Sequence, residues 1–513
     1  MSMSPAYQPI HILRKDAIHL WPETLVSIAL LGAYAWAETQ TWLPSNGEFN
    51  PAILAVGFLR FLIPVTWLVL ISRLVHDEEL VGDRQFWITR PYTWYSLLLS
   101  KILYIAVFLC IPFLIMQAWL LHHAGLYPTP LIPPMLKNLL YVLAIFILPL
   151  FAIAAVTSTF VRYISSALVG LIYFFIISAV AAHFWGEKLS APTLGYYIYF
   201  TLLALIVAAV LLAYWRRKIL IARVLIVGLP LVVLIFAFLA PVNLLTAHRY
   251  PQTTAGTLSF ENAAEFQQPS GRLFTMANKV ILNLPVQVQL TGLPDHSSVE
   301  VQYIRATIDG PSGYHYTTNW SPAHAELHSQ VPFSMLTLSL PEAVYGRIHN
   351  QPVALHLQLG TQVFNDGTPY SVDTAETAFP LPGHAACTVS SDDGVLECRF
   401  AFANRQLKRV EANVTNGNCM TPGALTARGF GFITPDATPV YFSPVEINHT
   451  QLKIRNTNVS LCPGARITVT PSVEGAYGRM SLDIPTITLD SYAVHIPTKT
   501  SAPQPPPQPE PQP

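Results

Sequence analysis

The residues of this chain whose types and spacing could do chemistry are concentrated in one stretch, from His76 to Lys101, which reads HDEELVGDRQFWITRPYTWYSLLLSK. It combines three acids at 77–79, an Asp-Arg pair, two adjacent aromatic residues and an Arg-Pro pair, within a half of the chain that is otherwise nearly all apolar. It is therefore the part of that half that can meet a soluble partner. We expect a short amphipathic helix here, because Pro91 disfavours the α region for Arg90 and so separates two helices. The alternative is a solvated connection between two membrane spans.

The sequence lacks recognised catalytic and nucleotide-binding motifs. There is no GxxxxGK[ST] loop for a nucleotide and no HExxH or GxSxG signature for hydrolysis. The nearest metal-like group, His324, Glu326 and His328, has the wrong spacing for a zincin. Alternation along a strand would place all three on one face, where weak metal binding is the alternative to the favoured solvated strand edge. We therefore expect no enzymatic activity, no cofactor and no metal site in this chain.

The spacing of Glu78, Gly82, Pro91 and Lys101 resembles the loop between the second and third spans of ABC-2-type transporter permeases. The resemblance is close over this loop, loose over the rest of the N-terminal half and absent from the C-terminal half. In that family the loop carries a coupling helix that docks on an ATPase subunit. The coupling-loop residues that it implies here are Glu78, Gly82, Phe86, Trp87, Arg90, Pro91 and Lys101.

The resemblance implies that the chain is a permease subunit in a lipid bilayer, working with a separate ATPase subunit and as a homo- or heterodimer of permeases. No nucleic-acid partner is expected. A second hypothesis from another class is a membrane-anchored protein whose exported half binds or senses a ligand without transport. An ectoenzyme is the third, and the sequence offers no catalytic set for it.

The composition indicates a membrane protein with two unlike halves. Hydrophobic residues make up 52% of the chain and charged residues only 11%, with a net charge of zero. We predict an α-helical polytopic membrane bundle of about seven spans, followed by an all-β extracytoplasmic domain of sandwich type. The expected divisions are a permease-like domain at 1–243, β-rich domains at 250–380 and 384–497, and a disordered Pro-rich tail at 498–513.

Seven apolar runs are close to the roughly 20 residues that a bilayer requires. A basic amphipathic helix should precede them, with Ile10, Leu13, Ala17 and Leu20 on its apolar face. A rival interpretation makes the first run a signal peptide.

Kinks are expected at Pro64, Pro112, Pro149 and Pro230. We place the spans at about 20–37, 52–74, 96–121, 136–159, 162–183, 194–214 and 219–241.

Lys and Arg are concentrated in alternate connections, which predicts the orientation. The N-terminus and the 76–101 loop should be cytoplasmic, in a plasma or inner membrane. An odd number of spans then places everything after Pro241 outside the cell.

Arg60 is predicted to lie several residues inside the second span, where a charge costs about 3 kcal/mol. It should face a partner, line a pathway or extend towards the outer headgroups. The first predicted span has no carboxylate at a matching depth.

After about residue 250, period-two alternation replaces the helical pattern, for example at Leu336, Leu338 and Leu340. The four cysteines of this half, Cys387, Cys398, Cys419 and Cys462, should lie in an oxidising compartment. The first two flank an Asp-Gly turn, which would let them meet across two strands and leave the other two to pair. Buried free thiols are the alternative.

Overall fold

The computed structural model describes residues 7–41, 51–77, 93–189, 194–251 apart from residue 217, and, with gaps between strands, 257–496. The chain divides into two compact units. One contains Met1–Trp185, Gly195–Ala240 and Asp366–Val473, and the other contains Gly186–Leu194, Pro241–Asn365 and Glu474–Pro513. The domain limits expected from the sequence stay predictions.

Helices build the N-terminal half, as its apolar runs predict. In chain order they are α1 Gln8–His19, α2 Trp21–Thr41, α3 Pro51–His76, α4 Trp94–Ile105, α5 Ile111–His123, α6 Ile132–Val142, α7 Leu148–Val156, α8 Phe160–Leu189, α9 Leu194–Leu211, α10 Ile219–Leu239 and the short α11 Val242–Arg249.

Six helical segments of the described chain are long and apolar enough to cross a membrane. The first of the seven predicted spans is present as helix α2, but it is not among the six. This helix carries Glu23 and Glu38 besides several Ser and Thr residues, so its composition is more polar than that of the others. The six are Pro51–His76, Trp94–His123, Thr129–Val156, Phe160–Ala181, Tyr197–Arg216 and Ile219–Leu239.

Two of the four prolines expected to disturb helices follow a local widening into a π turn. Ala106–Cys110 forms a π turn directly before the α5 segment that contains Pro112, and Leu143–Ile147 does so before Pro149. A proline lacks the N–H for the regular helical bond and its ring crowds the carbonyl one turn earlier, so the preceding turn is where the helix adjusts. Pro64 and Pro230 lie inside α3 and α10.

The core of the helical bundle is centred on Trp67 of α3, which is 1% exposed. Its indole Nε1 donates to Ser27 Oγ of α2 at 2.9 Å, and its ring meets the Phe113 ring of α5 edge-on at 6.0 Å. The Thr24 and Tyr104 hydroxyls, 2.6 Å apart, join α2 to α4. Thus α2 is packed into the bundle although it is the most polar of the long helices.

Strands build the C-terminal region. They are β1 Thr257–Phe260, β2 Arg272–Leu273, β3 Thr275–Met276, β4 Lys279–Gln289, β5 Ser298–Asp309, β6 His315–Thr317, β7 Ser321–Leu327, β8 Ser334–Pro341, β9 Pro352–Asp366, β10 Tyr370–Asp373, β11 Ala378–Leu381, β12 Ala385–Ser390, β13 Val395–Ala401, β14 Arg409–Thr415, β15 Leu425–Gly429, β16 Ile447–Lys453, β17 Arg466–Thr488 and β18 His495–Ile496. One short helix, α12 Glu342–Ile348, lies between β8 and β9.

In the second unit the predicted alternation is confirmed. Leu336, Leu338 and Leu340 of β8 are all fully buried, and β8 pairs antiparallel with β4. Another sheet of this unit has the order β17-β9-β5-β6, with β7 also on β5. One hydrophobic core cluster contains side chains from both sheets, because each strand directs alternate residues to the same side.

In the first unit the strands form two further arrangements. β11, β12, β13 and β16 make an antiparallel four-stranded sheet in that order. β14 lies between β15 and the N-terminal part of β17, and β10 pairs with the same part of β17.

A buried aromatic cluster fastens α11 to the strands of the second unit. Tyr250, directly after α11, is fully buried; its hydroxyl donates to Gln302 Oε1 at 2.9 Å. Arg479 Nη2 donates to the carbonyls of Ala247 and Tyr250 at 2.7 and 3.0 Å, which satisfies groups that a helix end leaves without partners. Gly360 allows the Tyr250 ring to lie against the β9 backbone, since a Cβ there would be 2.9 Å from two ring carbons.

We therefore expect Gly360→Ala to destabilise the second unit by about 1–3 kcal/mol, because the added methyl group overpacks a closed core. The control is Gly346→Ala in α12, where an added Cβ would meet nothing within 4 Å. Thermal unfolding of the full-length chain, followed by circular dichroism in detergent, should show a lower midpoint for Gly360→Ala only. Equal midpoints for the two variants would contradict the packing.

Candidate functional site

The predicted coupling loop, residues 76–101 and called the coupling segment below, is described at its two ends. Glu78, Gly82, Phe86, Trp87, Arg90 and Pro91 lie outside the described residues, so their roles stay predictions. On one side of this segment α3 ends at His76. On the other side α4 begins at Trp94, where the Thr93 hydroxyl accepts from the Ser96 backbone N–H at 3.4 Å and caps the helix.

Lys101, the last of the predicted coupling-loop residues, is fully buried two turns inside α4. Its Nζ donates to Asp16 Oδ2 of α1 at 2.8 Å, and the two side chains are 0% and 6% exposed. Removing one partner of such a pair leaves an uncompensated buried charge, which is strongly destabilising. The pair therefore fixes α1 against α4.

The apolar face expected for α1 is confirmed at Leu20, which is buried, and at Leu13 and Ala17, which pack against the core. It is wrong at Ile10, which is 59% exposed, and the buried side also includes Ile12 and Asp16. The apolar pattern alone did not show that the buried face would be built around a charge pair, whose partner lies 85 residues away. The sequence did contain one signal of this pair: Asp16 is the one acidic residue in a helix whose other charged residues are basic.

Two further side-chain contacts join the first helices to the end of α3 and to the residue after it. Arg73 Nη1 donates to Glu23 Oε1 of α2. His19, the last residue of α1, places Nε2 3.3 Å from Asp77 Oδ2 at the start of the coupling segment. Asp77, the second residue of that segment, is thus within reach of α1.

His76 and Arg223 close the C-terminal end of α7. His76 Nε2 lies 3.2 Å from both the Ala154 carbonyl and the Thr157 hydroxyl. A carbonyl only accepts, so Nε2 carries the proton, and Nδ1 accepts from the Ser72 hydroxyl at 3.0 Å. Arg223 Nε donates to the Val156 carbonyl at 3.0 Å. These bonds join the end of α7 to α3 and α10.

We call this group of side chains the polar end of the bundle. It connects both flanks of the coupling segment to four other helices, α1, α2, α7 and α10. Each carboxylate that the structure describes here has a cationic or imidazole partner. Through these side-chain contacts, a displacement of one of the helices can be passed to the others. The members of the polar end are Asp16, His19, Glu23, Arg73, His76, Asp77, Lys101 and Arg223.

Arg60 has a partner that the sequence analysis missed. Its Nη2 lies 3.3 Å from Glu38 Oε2 of α2, and its Nε lies 3.4 Å from the Tyr34 hydroxyl. The expectation of no matching carboxylate was wrong because the first span was predicted to end at residue 37, whereas α2 continues to Thr41. One added helical turn brings Glu38 opposite Arg60.

The predicted disulfide is compatible with the backbone register. Cys387 of β12 and Cys398 of β13 are direct partners on adjacent antiparallel strands. Their side chains, and all of Cys419 and Cys462, lie outside what the structure describes. No disulfide is seen among the described side chains, where Cys110 is a free, buried thiol. The pairing stays a prediction.

Comparisons with known proteins leave the chain without an assigned family. No protein-family model and no curated protein matches it. Among solved structures, the crystal structure of red sea bream transglutaminase aligns with 50% of this chain and only 33% of its own, at 11% identity and a TM-score of 0.11. A likeness this weak carries no argument about fold or function.

The buried pair provides a direct test of the site. We expect Lys101→Met to destabilise the bundle by about 3–5 kcal/mol, because Asp16 is left buried without its cation. The double variant Lys101→Met with Asp16→Leu should recover most of this loss, since neither charge is then buried. Thermal unfolding of the purified full-length protein measures both.

The matched control is Lys137→Met, which removes an exposed lysine from α6 and should leave the unfolding midpoint unchanged. If the double variant were as unstable as Lys101→Met, the two side chains would not be acting as a pair.

Proposed function

We propose that this chain is the permease subunit of an ABC-2-type ATP-driven transporter, coupled through residues 76–101 to a separate ATPase subunit. The observation that supports this most is the attachment of both flanks of the coupling segment. Lys101 holds the α4 flank to α1, and Arg73 and His76 hold the α3 flank to α2 and α7.

In this mechanism the ATPase subunits close on ATP and displace the docked segment. Because α1 and α4 share a buried ion pair, they move together. The hydrogen bonds of His76 carry the displacement of α3 to the corner after α7. The ATPase does the chemistry, and this chain converts it into movement of helices.

The proposal includes α2 as a seventh span. Its two carboxylates are paired, Glu23 with Arg73 and Glu38 with Arg60, which lowers the cost of placing them in a bilayer. With seven spans and the basic connections in the cytoplasm, the β-rich half lies outside the cell, as a domain of sandwich type. The assembly is a dimer of permeases, homo- or heteromeric, in the plasma or inner membrane.

The proposed orientation can be tested by thiol labelling in intact cells. In a variant without the five native cysteines, the single cysteine of Asp83→Cys should resist a membrane-impermeant maleimide, since residue 83 is expected in the cytoplasm. A cysteine at Ser391→Cys should react. Labelling of residue 83 from outside would contradict the orientation.

The partner can be tested by placing a photo-crosslinking amino acid at Phe86 in cells that express the full chain. We expect an adduct whose mass spectrum identifies a protein with a GxxxxGK[ST] loop. The control position is Tyr127, an exposed aromatic residue between α5 and α6 that should give no such adduct. Failure of Phe86 to capture an ATPase would favour the sensing protein over the transporter.

A further inference from the structure

Among the residues that the structure describes, the polar end of the bundle has more basic than acidic side chains. The carboxylates described there, Asp16, Glu23 and Asp77, are each already paired. Several exposed basic side chains have no carboxylate partner among the described residues. They are Arg14 of α1, Arg162 of α8, Arg216 five residues after the end of α9 and Lys218 before α10.

One of these basic residues, Arg216, lies over an exposed indole ring. The Trp94 and Trp215 ring centroids are 6.3 Å apart, and the Arg216 guanidinium carbon lies 4.5 Å over the Trp215 ring. Trp94 is 39% exposed and Trp215 54% exposed. Lys218, two residues after Arg216 in the chain, is also exposed. Aromatic and cationic groups are therefore gathered at one corner between α4, α9 and α10.

The backbone explains how this corner presents its side chains. Leu212–Arg216 forms a π turn, closed by the Lys218 N–H donating to the Leu212 carbonyl at 3.1 Å. Tyr214 is directed inwards, 3% exposed and stacked on Phe151 with ring centroids 5.9 Å apart. The next two residues are consequently directed outwards. An apolar surface continues along α10, where Leu220 is 75% exposed.

We propose that Trp94, Trp215, Arg216 and Lys218 form a binding site for the headgroup of an anionic phospholipid. Guanidinium and ammonium groups bind phosphate oxygens by charge-assisted hydrogen bonds, and indole rings favour the boundary between headgroups and acyl chains. The exposed side chains of α10 offer an apolar surface for the acyl chains. A free phosphate ion would make no use of the indoles or of that surface. This site does not depend on the proposed transport function.

Native mass spectrometry of the full-length protein in detergent, titrated with phosphatidylglycerol or phosphatidylcholine, tests the site. We expect the parent chain to bind phosphatidylglycerol more tightly than phosphatidylcholine. Arg216→Gln with Lys218→Gln should weaken the phosphatidylglycerol adduct at least about fivefold, the effect of one basic side chain near an anionic surface. Binding of phosphatidylcholine should not change.

The matched control is Lys137→Gln, which removes an exposed lysine from the opposite end of the bundle and should leave both lipids unaffected. Unchanged phosphatidylglycerol binding in the double variant, or equal weakening in the control, would overturn the site. Displacement of the lipid by millimolar inorganic phosphate would show a soluble-anion site and would also overturn it.

Discussion

The buried ion pair between Lys101 and Asp16 is the constraint on which the organisation of the bundle depends. Taking both charges out of water costs several kcal/mol per ion, and the pair repays this only when its geometry is held closely. The 2.8 Å contact meets that condition and joins α1 to α4 across 85 residues of sequence. The pair thereby holds the buried side of α1 against the core of the bundle, although the other side of α1 is exposed.

The other polar contacts join further pairs of helices in the same bundle. Glu23 with Arg73 joins α2 to α3, and His76 joins α3 to the end of α7. Each contact satisfies a charge or a helix-end carbonyl that would otherwise be costly in a low-dielectric environment. Arg60 with Glu38 does the same farther along the α2–α3 hairpin. Polar groups thus select the relative positions of helices whose apolar surfaces alone would allow several packings.

Elements that repeat a simple period were predictable from the sequence. Long apolar runs gave helices, and Leu336, Leu338 and Leu340 gave a strand with all three side chains buried. Contacts between distant residues were not predictable in this way. The pairing of Asp16 with Lys101 was not predicted, because periodicity cannot identify a partner 85 residues away, and Glu38 was missed because a helix end was placed one turn early. Helix ends depend on local hydrogen bonds that apolar patterning does not report.

The central claim is that the coupling segment transmits the force of an ATPase to the spans, and co-purification with that ATPase tests it most directly. If residues 76–101 dock on an ATPase as proposed, Phe86→Ala with Trp87→Ala should remove apolar contacts at that interface, at a cost of about 2 kcal/mol or more of binding. The account predicts that the double variant still inserts and folds but loses the ATPase, or retains it with hydrolysis uncoupled from transport. Co-purification and coupled transport equal to those of the parent would contradict it.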